Sequence, residues 1–396
     1  MDDATPPAAQ KTLAEQEAEY EKFIWKNLPR NYAGHFIHGM LGMTGFRLLN
    51  APTFLPAYLF ALSGSNALVG IALSVQQAGN CISPLIGAAQ AEHRKRLMPV
   101  AQVIGLGMRA PILLIALAGW FLPTHIQLPI IIALLFVQGL FGGMQRVVFQ
   151  TLLAKVIPVG RRGRLQAWRN VVGGIIAAAL AYFAGRWLIE TNVLGNGYAT
   201  TFLLAFVLTS LGLTALSLLM REPEPPTIRA KAKMGDRMKD LPALLRGDRS
   251  FFYFMLSIVC AMGGRAAAPF YILYASQTIE LSGANIGLLS LAFLGADTVS
   301  NLIWGYAGDR FGFRSIFITS LVAWAAATVL LLNSHEILPI FIAFMGLGAG
   351  QAGYMMASQT MALEFGQRDD VAMRLALTGT AEGVMMTAGP VIGGLL

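Results

Sequence analysis

Long apolar runs decide what this chain can become. Stretches of 18 or more residues rich in Leu, Ile, Val, Ala, Phe and Gly recur along almost all of its 396 residues. Each is long enough to cross a hydrocarbon core of roughly 30 Å as a helix. Lipid offers no partner to backbone N–H and C=O groups, so such runs satisfy them internally as helices. The composition agrees, with 55% hydrophobic and 13% charged residues against about 25% charged in soluble domains. The predicted class is an all-α integral membrane protein. The first residues, MDDATPPAAQ, are acidic and polar, so no cleavable signal peptide is expected. Cys81 and Cys260 both fall inside apolar segments and give neither a disulfide framework nor a metal-binding spacing.

Residues 1–31 are polar, with LAEQEAEYEKFIWKNLPR predicted as a short helix at the lipid surface. Membrane helices are predicted near 34–60, 66–89, 97–121, 127–156, 165–189 and 197–220, forming a six-helix bundle over 32–220. A polar linker follows at 221–249. Helices near 250–275, 284–307, 315–333, 337–363 and 373–396 form a second bundle over 250–396. The connectors alternate in charge. AEHRKR, PVGRRGR, 221–249, GDRFGFR and FGQRDDVAMR are basic, whereas LSGSN, LPTHIQ, ETNVLGNG, ELSGAN and NSHE lack Lys and Arg. Lys and Arg collect on the cytoplasmic side of a membrane. The expectation is a cytoplasmic N-terminus and linker in a multi-pass inner-membrane protein, and the net charge of +8 reads as membrane-facing rather than nucleic-acid-binding. Five helices after the linker, ending at GPVIGGLL, are read as a twelve-helix protein whose last helix is cut from the record.

The two halves resemble each other at an offset of about 210–219 residues. Gly45-Phe46-Arg47 before Pro52 answers Gly263-Gly264-Arg265 before Pro269. LSGSNALVG answers LSGANIG, Gln150-Thr151 answers Gln359-Thr360, and Arg164-Leu165 with Gly173 answers Arg374-Leu375 with Gly383. Related six-helix halves are a transporter architecture. GYAGDRFGFR, residues 305–314, resembles the loop signature G-x-x-x-D-[RK]-x-G-x-[RK] of the major facilitator superfamily, at the place between second and third helices of a half where that family carries it. The first-half counterpart GAAQAEHRKR keeps Gly87 and Arg96 but has Ala91 in place of the acid. GPVIGG at 389–394 resembles the family's antiporter signature, though in the eleventh helix rather than the fifth. The resemblance implies two pseudo-symmetric six-helix bundles working by alternating access, a common monomeric state, a central cavity lined by the first and seventh helices, and no enzymatic activity.

Arg47 lies about thirteen positions into the first helix, roughly 20 Å along its axis, and Arg265 about fifteen into the seventh. A guanidinium at mid-membrane costs at least about 2.5–3.5 kcal/mol. Two of them at repeat-related positions point to function. The family's carriers of organophosphates and phosphate are similar in placing one arginine on each of these helices. One reading is a paired clamp for an anionic substrate, since the planar fork matches carboxylate or phosphate oxygens. The other is internal neutralisation by Asp297 and Glu382, the acids available at depth. Those two are also the candidates for proton coupling. Tyr58, Tyr271 and Tyr274 are expected to shape the pocket, and Gln145 and Arg146 to reach it. His35 and His38, near the helix end, are expected to be solvated. Arg109, on a helix the resemblance makes peripheral, has no explanation in the sequence.

The GDRFGFR loop, with Gly305, Asp309, Arg310, Gly312 and Arg314, is expected to gate the cytoplasmic side. Asp309 would sit against the start of the eleventh helix, and Arg310–Glu364 and Glu92–Lys155 would form two latches with exchanged signs. GLGAGQAG at 346–353 mimics a nucleotide loop, but no strand precedes it, and small-residue helix packing is expected. No cofactor or metal motif is present. The functional reading is a secondary transporter of a small organic or phosphorylated anion, with a coupling proton as further partner. A proton-coupled exporter of hydrophobic or cationic compounds, and a non-transporting assembly or sensor protein of the same fold, are the alternatives.

Overall fold

A computed structural model describes residues 12–91, 94–225, 248–265, 267–364 and 371–395. Among the described residues the chain is helical and contains no strand. Among the described residues a helix or helix pair stands at each of the eleven predicted spans. The first is α1 (Leu13–Asn50) followed by α2 (Phe54–Ser63), and the second is α3 (Asn66–Ile82) with α4 (Pro84–Ala91). Then come α5 (Met98–Phe121), α6 (Thr124–Val156), α7 (Val159–Phe183) extended by a π turn at Ala184–Ile189, and α8 (Gly197–Leu219). The second half has α9 (Arg249–Arg265), a 3₁₀ turn at Ala268–Phe270 and α10 (Tyr271–Ala275), then α11 (Gly283–Phe311), α12 (Phe313–Leu332), α13 (Ile337–Glu364) and α14 (Val371–Leu395). Among the described residues eight helical segments are long and apolar enough to cross a membrane.

Two local features depart from the predicted outline. The surface helix and the first span are one continuous helix of 38 residues, with Pro29 inside it. The proline removes a single backbone donor. A capping box opens the helix: Thr12 Oγ1 accepts from Glu15 N at 3.3 Å, and Thr12 N donates to Glu15 Oε2 at 2.8 Å. Conversely, the first and seventh spans are each broken at a proline. Ala51, before Pro52, takes an extended ψ of 144°, as the following ring requires. Arg47 therefore lies in the last turn of α1, and Arg265 in the last turn of α9.

In the first half α1 packs on α8 and α7, α3 on α6, and α5 on α6 and α8. In the second half α13 packs on both α11 and α12, and GLGAGQAG supplies that face, as expected. Two seams join the halves: α3 against α14, and α7 with its π turn against α11. Both are tight towards the end whose connectors carry no Lys or Arg, the neutral end. A Cβ on Gly70 would stand 2.1 Å from Pro390 O, and one on Gly185 2.3 Å from Gly287 Cα. Only glycine admits such an approach. GPVIGG thus serves the first seam. Glu190 ties the second by accepting from Ala284 N at 2.9 Å, and Thr53 and Ser290 share a hydroxyl hydrogen bond of 2.7 Å across the halves.

At the opposite, basic end the chain leaving α8 is stapled to the first half. Arg221 N donates to Asn31 Oδ1 at 2.7 Å. Glu222 accepts from Leu97 N at 2.6 Å, Met98 N at 2.9 Å and Lys155 Nζ at 2.6 Å. Glu224 pairs with Arg96 at 3.0 Å, and Tyr20 donates to the Lys155 carbonyl at 3.1 Å.

Candidate functional site

The two broken spans bring their arginines to mid-depth, where the halves face each other. Each guanidinium is carried by the C-terminal turn of a helix, where carbonyl ends and the helix dipole favour a cation. Arg47 Nη2 meets Asp297 Oδ2 at 3.0 Å, and its Nη1 donates to Thr298 Oγ1 at 3.0 Å. Both partners come from α11, so the pair spans the two halves. The Arg47 and Asp297 side chains keep 21% and 14% of their surface accessible. This pair is shielded but reachable.

Arg265 is half-buried and donates from Nη1 to the Met355 thioether at 3.0 Å. Glu382 on α14 and Asp297 on α11 are the acids whose charge bears on it, and the Arg146 charge opposes theirs. Tyr354 donates to Glu382 Oε1 at 3.4 Å. One constellation therefore gathers Arg47, Arg146 and Arg265 with Asp297 and Glu382. Thr298, Tyr354 and Met355 complete it. Sequence reasoning missed these three, although Thr298 is adjacent to Asp297 and Tyr354 lies at mid-depth in α13.

Other expected site residues lie elsewhere. Tyr58 is buried in the core, stacked on Tyr198 at 5.1 Å and edge-on to Phe202 at 5.5 Å. Tyr271 is buried and accepts from Trp324 Nε1 at 3.0 Å. Tyr274 donates to the Leu332 carbonyl at 3.0 Å. These three pack helices rather than face the arginines. Arg146 is exposed on α6, as a cavity residue would be, but its neighbour Gln145 is buried and accepts from Arg109 Nη1 at 3.3 Å inside the first half.

The histidine expectation is also corrected. His35 and His38 are buried, not solvated, because α1 runs on past them and α6, α7 and α8 cover it. They lie in a cluster with Arg109, which is fully buried. Its Nε donates to Thr209 O at 2.8 Å and its Nη1 to Gly105 O at 2.7 Å. Its Nη2 lies 3.4 Å from His38 Nε2, and its guanidinium 5.7 Å from the Phe46 ring centroid.

The gate residues are only partly in view. Gly305 is half-buried, and Asp309, Arg310, Gly312 and Arg314 are exposed. Arg310 lies over the Phe311 ring at 5.3 Å. The helix that carries Asp309, α11, packs along α7 and α13; the residues that lead into the eleventh span lie outside the described ones. Glu92 and the Glu364 side chain lie outside the described residues. Lys155 is engaged by Glu222 and the Lys95 carbonyl, a staple within the first half.

Comparison with known proteins places this geometry. The model of the Major Facilitator Superfamily matches residues 34–264 and 253–396. The chain belongs to that superfamily: it is a multi-pass membrane transporter, not an enzyme. Among solved structures it is similar to a point mutant of the nucleoside transporter NupG, at 13% identity and a TM-score of 0.70, covering 92% of this chain and 90% of that one. It is similar to a D-xylose-proton symporter, at 13% identity and TM-score 0.62, covering 92% and 89%. A bacterial homolog of the human lysosomal transporter Spinster, in an inward-facing unoccupied conformation, shares 13% identity and TM-score 0.65, covering 95% and 82%. No curated protein matches the sequence.

Proposed function

We propose that the chain carries a small organic or phosphorylated anion, with Arg47 and Arg265 as paired contacts and Asp297 and Glu382 as exchangeable counter-charges. The carrying observation is the 3.0 Å Arg47–Asp297 pair that crosses between the halves. A proton taken up by Asp297 neutralises it and frees the Arg47 guanidinium for an anionic oxygen of the substrate. The charge balance supports an anion. Three arginines, Arg47, Arg146 and Arg265, stand against two carboxylates. A cationic substrate would meet net repulsion there. The basic connectors support a cytoplasmic orientation for the end opposite the neutral-end seams. GPVIGG, which favoured the exporter alternative, already has a packing role against Gly70.

The test is thermal stabilisation of the purified protein by a panel of carboxylates and phosphate esters. Stabilisation by members of one class, lost in Arg47→Ala and Arg265→Ala, supports the proposal. Stabilisation by organic cations that survives both substitutions overturns it.

A further inference from the structure

The cluster around Arg109 is cationic and has no acid. Its charged and titratable members are His35 and His38 on α1, Arg109 on α5 and Arg169 on α7. The Arg169 charge bears on both histidines, and Arg109 and His35 bear on His38. Among the described residues, no carboxylate contributes to the surroundings of His35, His38, Arg109 or Arg169. Arg109 is held by carbonyl oxygens and Gln145, and His38 is stacked on Phe149 at 4.7 Å.

His35 and Arg169 are different. The His35 side chain is 99% removed from solvent, as its residual exposure of 1% shows, yet its Nε2 has no hydrogen-bond partner. Arg169 Nε is likewise buried without a partner. Gly39 lies one turn beyond His35 on the same face of α1, and Arg169 reaches that face. The Arg169 stem lies directly on that glycine, where any Cβ would overlap it. Orphaned buried donors beside an unbalanced charge are what a bound anion satisfies. A neutral imidazole serves with its Nε2–H, so no titration is required.

We infer that the first half holds a second, halide-sized anion site, in which His35 Nε2–H and Arg169 Nε–H donate to the ion and Arg109 and His38 supply the surrounding positive field. The site is nine residues along α1 from Arg47, counted from His38, or roughly 13 Å, and does not depend on the substrate reading above.

The experiment is melting of the full-length protein in sodium chloride, sodium bromide and sodium gluconate at one ionic strength. A rise of a few degrees in chloride and bromide over gluconate is expected. It should vanish in His35→Phe and Arg169→Met, which keep the ring shape and the stem, and persist in Arg47→Ala. Equal melting in all three salts overturns the inference, as does a rise that survives both substitutions or is lost in Arg47→Ala. Should those variants not fold, the bromide anomalous map of the unmodified protein decides: a peak between His35 and Arg169 supports the site, and its absence refutes it.

Discussion

Arg47 and Arg109 meet the same problem in opposite ways. Both are permanent charges inside a helical membrane protein. Arg109 is sealed and spends its donors on two backbone carbonyls, a glutamine and a histidine, all from the first half. Arg47 remains partly accessible and answers to a carboxylate on the other half. Backbone carbonyls cannot change their charge or leave, so Arg109 is fixed. A carboxylate can be protonated or displaced, so the Arg47 contact can be exchanged. The difference separates an arginine that builds one half from an arginine that connects two.

The strongest way to break this comparison is Arg109→Leu. It removes a fully buried side chain and leaves Gln145 and His38 without a partner. The expected loss is about 3 kcal/mol of stability, seen as a lower melting temperature and yield of folded protein, with Arg109→Lys failing similarly because an ammonium cannot span these acceptors. A melting temperature equal to that of the unmodified protein would remove the structural role. Next in size is Arg47→Ala. It should leave the fold intact and weaken anion binding by about 10–100-fold, the equivalent of one lost charge-assisted contact of about 1.5–3 kcal/mol. Unchanged transport of the stabilising anion would show that Arg47 is structural after all.

Asp297→Asn sharpens the same contrast. It frees Arg47 without a proton, so anion affinity at neutral pH should rise about tenfold, near 1.4 kcal/mol. In the unmodified protein affinity should strengthen as pH falls, because protonation releases the guanidinium, and this slope should flatten in the variant. An affinity titration across pH checks both. The smallest effect is expected for Glu222→Gln. The amide oxygen keeps only one of the Leu97 and Met98 N–H bonds and the side chain loses its charge towards Lys155, for about 1 kcal/mol. Because that pair lies within one half, transport relative to folded protein should stay constant while the melting temperature falls slightly.

Much of the architecture was legible in the sequence. Apolar run length set the eleven spans, and the repeat put Arg47 and Arg265 at matching places, each with its proline a few residues on. Asp297 and Glu382 were legible because acids at mid-depth are rare. The tyrosines were not. Tyr58 lies eleven residues after Arg47, and an unbroken helix would put both on one face. The break at Pro52 resets that phase. Arg109 was opaque for another reason. Its partners are carbonyls of Gly105 and Thr209, and backbone acceptors leave no trace in residue identity. Lys155 also takes Glu222 from the segment after α8, a partner the repeat does not predict, while Glu92, the partner read from the repeat, lies outside the described residues.

The unbroken α1 has a mechanical consequence. Its 38 residues make a rod of roughly 57 Å, with Arg47 near one tip and the capped Thr12 end at the other. Tyr20 and Asn31 fasten it to its own half. Rotation of that half about the Arg47–Asp297 contact would sweep the far tip through a wide arc. A spectroscopic label near residue 13 would therefore act as the pointer of a gauge, turning a small rearrangement at the arginine into a large displacement outside the membrane.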